Sequence, residues 1–191
     1  MNEESIEQLV NLLHEAGMLA SIPRSGFAFL GSGQQSVAEH TYRVIFVAYV
    51  LSHLSRLAGR PVKLDRLFLF CLFHDLPEAR IGDLNAVQKQ YVVPQVDKVL
   101  QDFVSQYPIG EEIAQAVHSF ENDASLEAML ARDADQIELL LVLKREEELG
   151  NPQTQEWIKR VFSRIQTDEG KQLASKVTEV DTSAWWRLFT H

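Results

Sequence analysis

The densest chemistry in the chain lies in HDLPEARIGDL, residues 74–84. It follows seven consecutive apolar residues, Leu67 to Phe73. A helix apolar on all sides is a buried helix, so this reading puts His74 and Asp75 partly inside the protein. A buried carboxylate costs several kcal/mol unless a cation, hydrogen bonds or a metal answers it. A His–Asp hydrogen bond closing a helix end accounts for the dipeptide alone equally well. Glu78 and Asp83 add two acids within the same ten residues. Each by itself reads as part of a solvated turn. Pro77 and Gly82 interrupt regular helix here, so these side chains can converge without sharing one helical face.

Two further stretches carry acids or imidazoles in apolar surroundings. In ARDADQIELLL, Asp133 is flanked four residues each way by Met129 and Ile137, and Asp135 by Ala131 and Leu139. Periodicity does not choose between them, and an ion pair with Arg132 or Lys144 is the plain explanation for either. In SVAEHTYR, residues 36–43, Ser36 and Glu39 form the Ser-x-x-Glu signature of a capping box. That assigns both to the backbone and leaves His40 in the first turn of a strongly apolar helix. His14, His53 and His118 fall in amphipathic helices and read as surface or boundary residues, and His191 is terminal. Glu121 is a further acid with a supporting role at most.

The elements that must position these residues are helices. Ile6, Leu9, Val10, Leu12 and Leu13 give a helix over 3–16 with Gly17 as its stop. Residues 17–35 read as a loop. The helix opened by Ser36 runs to about Ala58, with Gly59 at its left-handed cap and Pro61 beyond. Asp65 caps a helix through RLFLFCLFHD, which Pro77 interrupts. Amphipathic helices cover 95–106 and 110–120, and a long one runs from Ser125 to about Leu149, stopped by Gly150. Asn151-Pro152 starts another helix to about Gln166, and Asp181 caps a terminal helix holding Trp185 and Trp186. Leu51, Leu54 and the two tryptophans are expected in the core or in a subunit contact. The sum is an all-α single domain, residues 1–191, with its core over about 20–150 and the C-terminal helices of 151–191 packed on it.

Composition narrows the function. The 191 residues are 46% apolar and 24% charged, as in ordinary globular proteins. One cysteine, Cys71, excludes an internal disulfide and a cysteine-only metal site, and fits a reducing, cytoplasmic setting. The N-terminus MNEESIEQL has no basic or apolar targeting region, and no apolar run approaches the ~20 residues of a membrane span. A net charge of −9 argues against nucleic acid or an anionic membrane as partner. It leaves room for a small phosphorylated substrate held by a few local cations.

In their order along the chain, these residues resemble the HD-domain metal-dependent phosphohydrolases, and among them the 5′-deoxynucleotidase branch. The resemblance rests on Pro23-Arg24-Ser25-Gly26-Phe27, Ser36-Val37-Ala38-Glu39-His40, and His74-Asp75-Leu76-Pro77-Glu78 with Gly82-Asp83. A later Asp completes it, and the comparison selects Asp135 over Asp133 through the following DQIE. It implies an all-α HD-domain helical bundle. It implies that His40, His74, Asp75 and Asp135 hold one divalent metal. Two imidazoles and two carboxylates suit Mn²⁺, Co²⁺, Fe²⁺, Ni²⁺ or Zn²⁺. It makes Glu78 the catalytic residue that orients water or moves a proton, Arg24 the phosphate ligand, Asp83 the partner of the sugar hydroxyl, and Phe27 part of the nucleoside site. The branch often has Trp at the position of Phe27 and a proline where Asn85 stands. The implied activity is release of phosphate from (deoxy)nucleoside 5′-monophosphates, by a homodimer. The alternatives are a related enzyme acting on a phosphodiester, pyrophosphate or nucleoside triphosphate, and a non-catalytic metal- or nucleotide-binding module.

Overall fold

A computed structural model describes residues 3–190. Eleven α-helical segments follow one another among the described residues. They are α1 (Glu3–Gly17), α2 (Phe27–Leu30), α3 (Val37–Leu57), α4 (Leu64–Phe73), α5 (Glu78–Ile81), α6 (Val96–Gln106), α7 (Gly110–Asn122), α8 (Leu126–Glu148), α9 (Thr154–Phe162), α10 (Asp168–Glu179) and α11 (Ala184–Arg187). Short 3₁₀ turns occupy Met18–Ser21 and Gln88–Gln90. Extended pairing among the described residues is limited to an antiparallel bridge between Pro23 and Ser36. The fold is all-α, as expected. The expected loop over 17–35 contains α2 and the first of these 3₁₀ turns.

Helix α8 is the axis. Leu130, Ala134, Ile137, Leu140 and Leu143 are fully buried on it, and α3, α4, α7, α9 and α10 all pack against it. Alanines at 128, 131 and 134 allow this approach, since a helix surrounded on several sides needs small side chains where backbones come close. A second apolar cluster joins Leu12, Leu100, Phe103 and Ile113 of α1, α6 and α7 with Val37 and Leu76.

Asp133 is fully buried, but it pairs with neither Arg132 nor Lys144. Its two oxygens accept the backbone N–H groups of Gln166 and Thr167, each at 2.8 Å, and the Thr167 hydroxyl at 2.6 Å. That hydroxyl in turn accepts the Gly170 N–H at 3.0 Å and caps α10. The carboxylate therefore answers amides of the last connection to fold back on α8. α10 itself was not foreseen from sequence. Its signal was Thr167 ahead of Asp168-Glu169 and the spacing of Leu173, Ala174 and Val177, masked by a glycine in the first turn.

Several boundaries differ from expectation, each for a physical reason. Lys63 is the first boundary residue of α4, not Asp65, because Glu127 of α8 accepts the Lys63 N–H at 2.9 Å and supplies the cap from another helix. Nor is α4 buried all round: Leu72 is 45% exposed. The segment after Pro152 turns once before α9 begins at Thr154, because Asn151 accepts the Gln153 N–H at 2.9 Å. α9 stops at Phe162, short of Gln166. Asp181 accepts the Ser183 N–H at 2.8 Å, but the helix that follows has four residues, and Trp185 and Trp186 are 70% and 44% exposed rather than core. Leu51 is buried as expected. His14, His53 and His118 are exposed, and His191 lies outside the described residues.

Replacing Asp133 with alanine strands two buried amides and a hydroxyl. The expected loss is about 2–4 kcal/mol of unfolding free energy, read from urea denaturation of the metal-free protein. A loss below about 0.5 kcal/mol, the range of a neutral surface change, contradicts this account.

Candidate metal centre

The capping box at the start of α3 forms as expected. Ser36 Oγ accepts the Glu39 N–H at 3.1 Å, and Glu39 Oε2 accepts the Ser36 N–H at 2.7 Å. Glu39 is thereby turned to the backbone, and His40 beside it faces inward, fully buried. His40 Nδ1 lies 2.6 Å from Glu138 Oε2. Glu138 also accepts from Gln35 Nε2 at 2.8 Å and forms an ion pair with Arg43, whose Nε lies 3.1 Å away. With Nδ1–H donating to a carboxylate, Nε2 is left to face the interior of the site.

His74 is held the same way by a different acceptor. Its Nδ1 donates to the Cys71 carbonyl at 2.8 Å, one of the unpaired carbonyls at the end of α4, so its Nε2 also points inward. The two rings sit 5.6 Å apart between centroids. One oxygen of Asp135 completes a set of three potential ligand atoms lying within 4.8 Å of one another. Asp75 stands at the edge of this set, with Oδ2 3.3 Å from His74 Nε2, 3.6 Å from His40 Nε2 and 3.1 Å from Arg24 Nη1. So His40, His74 and Asp135 converge as a compact group, while Asp75 is shared with Arg24.

The residues fit a cation by hydrogen-bond accounting. His40 Nε2 and His74 Nε2 are both buried and make no hydrogen bond, although carboxylate oxygens lie 3.1 Å and 3.3 Å away. Their lone pairs are directed at a common space and not along an N–H···O line. An N₂O-type set with a fourth carboxylate at its rim matches a borderline divalent ion.

Electrostatics follow from this crowding. Burial works against a charged His40, but the carboxylates of Asp135 and Glu138 beside it outweigh that and push the imidazole up to about 9. His74 is raised likewise, burial being overcome chiefly by Asp75. Asp135 is held down to about 2, as His40 and His74 outweigh its burial, and Asp75 lies well below the carboxylate range against its own burial, through His74, His40 and Arg24. Glu78 goes the other way. Burial, with Asp75 and Asp83 beside it, raises its carboxyl to about 8. Its Oε2 is buried without a partner.

The loop carrying Arg24 is fastened at both ends. Arg24 N donates to Gln35 O at 2.8 Å, and Val37 N donates to Ile22 O at 2.9 Å. Ser25 N donates to Asp83 Oδ2 at 2.8 Å, and Arg24 Nε lies 3.8 Å from the same oxygen. Gly82 precedes Asp83 with φ +73° and ψ 162°, backbone that is essentially glycine-only. Arg24, Phe27, His74, Asp75, Glu78, Asp83 and Asp135 all line one cavity of about 970 Å³. Asn85 lines it too and organises its rim, accepting the Val87 and Gln88 N–H groups at 3.1 and 3.0 Å. Glu121 is exposed and reaches the cavity without bonding to the imidazoles. Asp133, on another face of α8, is not part of the group.

Residues 16–177 match the family model described as HD domain. The chain belongs to the HD-domain family. It is 24% identical over 159 residues to the 5′-deoxynucleotidase HDDC2 of Bos taurus, covering 79% of this chain and 74% of that protein. The Xenopus laevis protein of the same name is 23% identical over 186 residues, 93% of this chain and 90% of that one. Among solved structures, a conserved hypothetical protein from Pyrococcus furiosus superposes with a TM-score of 0.77 at 24% identity, over 90% of this chain and 99% of that one. An HD-domain phosphohydrolase from Listeria innocua gives 0.67 at 19% identity, over 90% and 98%. These structural likenesses establish the fold.

Glu138 is the residue of this HD-domain centre that sequence reading missed. Its signal was present: it stands three residues after Asp135 on the same face of a helix, so one acid reaches each side of the His40 ring.

A cation and a proton compete for His40 Nε2. With the folded imidazole raised to about 9 from an unfolded value near 6.5, the metal-free protein carries that proton at pH 7. Its stabilising effect is complete below about pH 6.5 and is lost as the pH rises through about 9. Divalent-ion affinity is therefore expected to rise across that window, with release of about one proton per ion at pH 7. Calorimetric Mn²⁺ titrations in buffers of different ionisation enthalpy measure both. An affinity that does not change with pH contradicts the assignment.

Proposed function

We propose that this chain is a metal-dependent phosphohydrolase that releases phosphate from (deoxy)nucleoside 5′-monophosphates. The observation that carries this reading is the pair of buried, unbonded Nε2 atoms of His40 and His74 facing Asp135, with Asp75 and Arg24 beside them. The names of the Bos taurus and Xenopus laevis relatives support the substrate class.

In this reading His40, His74, Asp75 and Asp135 hold the ion, one of Mn²⁺, Co²⁺, Fe²⁺, Ni²⁺ or Zn²⁺. When bound, such an ion lowers the pKa of water and neutralises charge on phosphate oxygens. Arg24 offers the planar guanidinium fork that takes two phosphate oxygens. Its approach to Asp75 and Asp83, at 3.1 and 3.8 Å, supports this role. Glu78, with a carboxyl near 8, is poised to hold or pass a proton at Oε2 close to neutral pH. Asp83 meets the sugar, and Phe27 gives the nucleoside an apolar wall. Trp157 lines the same cavity and supplies an indole where the branch often carries one at the loop position.

His74→Ala is expected to lose both the ion and phosphate release. Glu78→Gln is expected to keep the ion and lose rate by about 10²–10⁴-fold. Elemental analysis with a metal-supplemented mononucleotide panel separates the two, and no release from any 5′-mononucleotide with any ion of the panel overturns the reading.

The reading includes a homodimer acting in the reducing cytoplasm. Tyr42, Phe46 and Tyr49 leave one face of α3 exposed, a row of large apolar groups suited to a second copy. Cys71 is buried and unpaired, and no described helix is long and apolar enough to cross a membrane. Phe46→Arg is expected to shift a dimer to monomer in light scattering. A monomeric wild type contradicts this part.

A further inference from the structure

The cavity beside the metal centre measures about 970 Å³, at the upper end of the ~300–1,000 Å³ usual for small-molecule pockets. Apart from Glu121 and Glu156, its lining charges fall into two sets. Asp75, Glu78, Asp83 and Asp135, with Arg24, make up the metal end. The other set is basic and comes mostly from α9 and the turn after it: Lys159, Arg160 and Arg164, joined by Lys89.

The placement of α9 is specific. A Cβ on Gly26 would lie 3.3 Å from the Trp157 ring, so the indole rests against the loop that carries Arg24. Arg160 follows Trp157 at i+3 on one helical face, about 5 Å further along the axis, and Arg164 lies in the turn just past the end of α9 at Phe162. The helix thus leads from the phosphate-binding loop to two guanidiniums.

Three of these four cations also lack an ion pair. Five arginines away from this cavity meet acids: Arg43 with Glu138, Arg60 with Glu169, Arg66 with Asp123, Arg80 with Glu15, Arg187 with Asp181. Lys159 pairs with Glu156 at 2.8 Å. The side chains of Arg160, Arg164 and Lys89 have no ion pair or hydrogen-bond partner among the described residues, although the charge of Lys89 is felt by Glu78. Arg56 and Arg145 are likewise unpaired, and neither lines this cavity. Glu121 and Glu156 also line the cavity, but Glu156 pairs with Lys159, and neither forms an ion pair with Arg160, Arg164 or Lys89 among the described residues. The helix dipole favours a cation in the last turn of α9. It does not account for Lys89, which comes from a different element.

We propose that Arg160, Arg164 and Lys89 form a subsite for a second phosphate. The favoured substrates are then nucleotides with one phosphate at the metal end and another on the far side of the sugar, as in a nucleoside 3′,5′-bisphosphate. Phe27 and Trp157 line the same space and offer aromatic surface to the base. This inference rests on the nucleotidase reading for its chemistry, but the subsite is a matter of binding and can be tested apart from turnover.

The probes are 2′-deoxyadenosine 3′,5′-bisphosphate and 2′-deoxyadenosine 5′-monophosphate, applied to the full chain. Calorimetry is expected to show the bisphosphate binding at least about tenfold tighter, and more steeply weakened by salt, as befits extra charge-assisted contacts. In Arg160→Ala/Arg164→Ala the ratio of the two affinities falls toward one, and Arg160→Lys/Arg164→Lys restores part of it. With Mn²⁺, the ratio of kcat/KM values follows the same order. Equal affinity in the wild type, or a ratio unchanged by the double alanine variant, overturns the subsite. Tighter bisphosphate binding without phosphate release from either probe keeps the subsite and overturns the nucleotidase reading.

Discussion

Asp133, Asp135 and Glu138 lie within six residues of a helix surrounded on several sides by apolar packing. Each carboxylate there must be answered at short range, because water is not at hand to do it. The three answers organise the rest of the molecule. Asp133 takes the amides that begin the last turn back onto α8. Glu138 takes a ring nitrogen of His40 together with Gln35 and Arg43, which ties α3 and the residues before it to α8. Asp135 faces the imidazoles, a neighbouring amide and the charge of Arg24. With His40 and His74 it makes up the set of ligand atoms that could hold a cation.

The same logic governs the charge balance around His40 and Asp75. His40 is drawn toward its charged form by two acids, and Arg24 stands 3.1 Å from Asp75. Protons and guanidinium together balance the carboxylates that an ion would otherwise hold.

Much of this was legible in the sequence where the signal was local. The capping box needed four residues to read and forms as written. Gly59 and Gly150 sit at left-handed positions just past α3 and α8. What escaped was whatever depended on a partner far along the chain. The cap of α4 comes from Glu127, 64 residues from Lys63, and the amides answered by Asp133 lie 33 and 34 residues away. Periodicity could not separate Asp133 from Asp135 because α8 has no single wet face against which to define a dry one. The family resemblance picked Asp135, and the geometry gives the reason: it is the one that reaches the imidazoles, while its neighbour reaches backbone.

The short bridge between Pro23 and Ser36 has a further meaning. It joins the arm bearing Arg24 to the residue that starts His40's helix through main-chain groups alone. Main-chain pairing is indifferent to which side chains the arm displays. The arm's exposed residues, such as Ala28 and Phe29, can therefore vary without shifting the register between Arg24 and His40, so the surface of this arm is uncoupled from the alignment of the buried cluster.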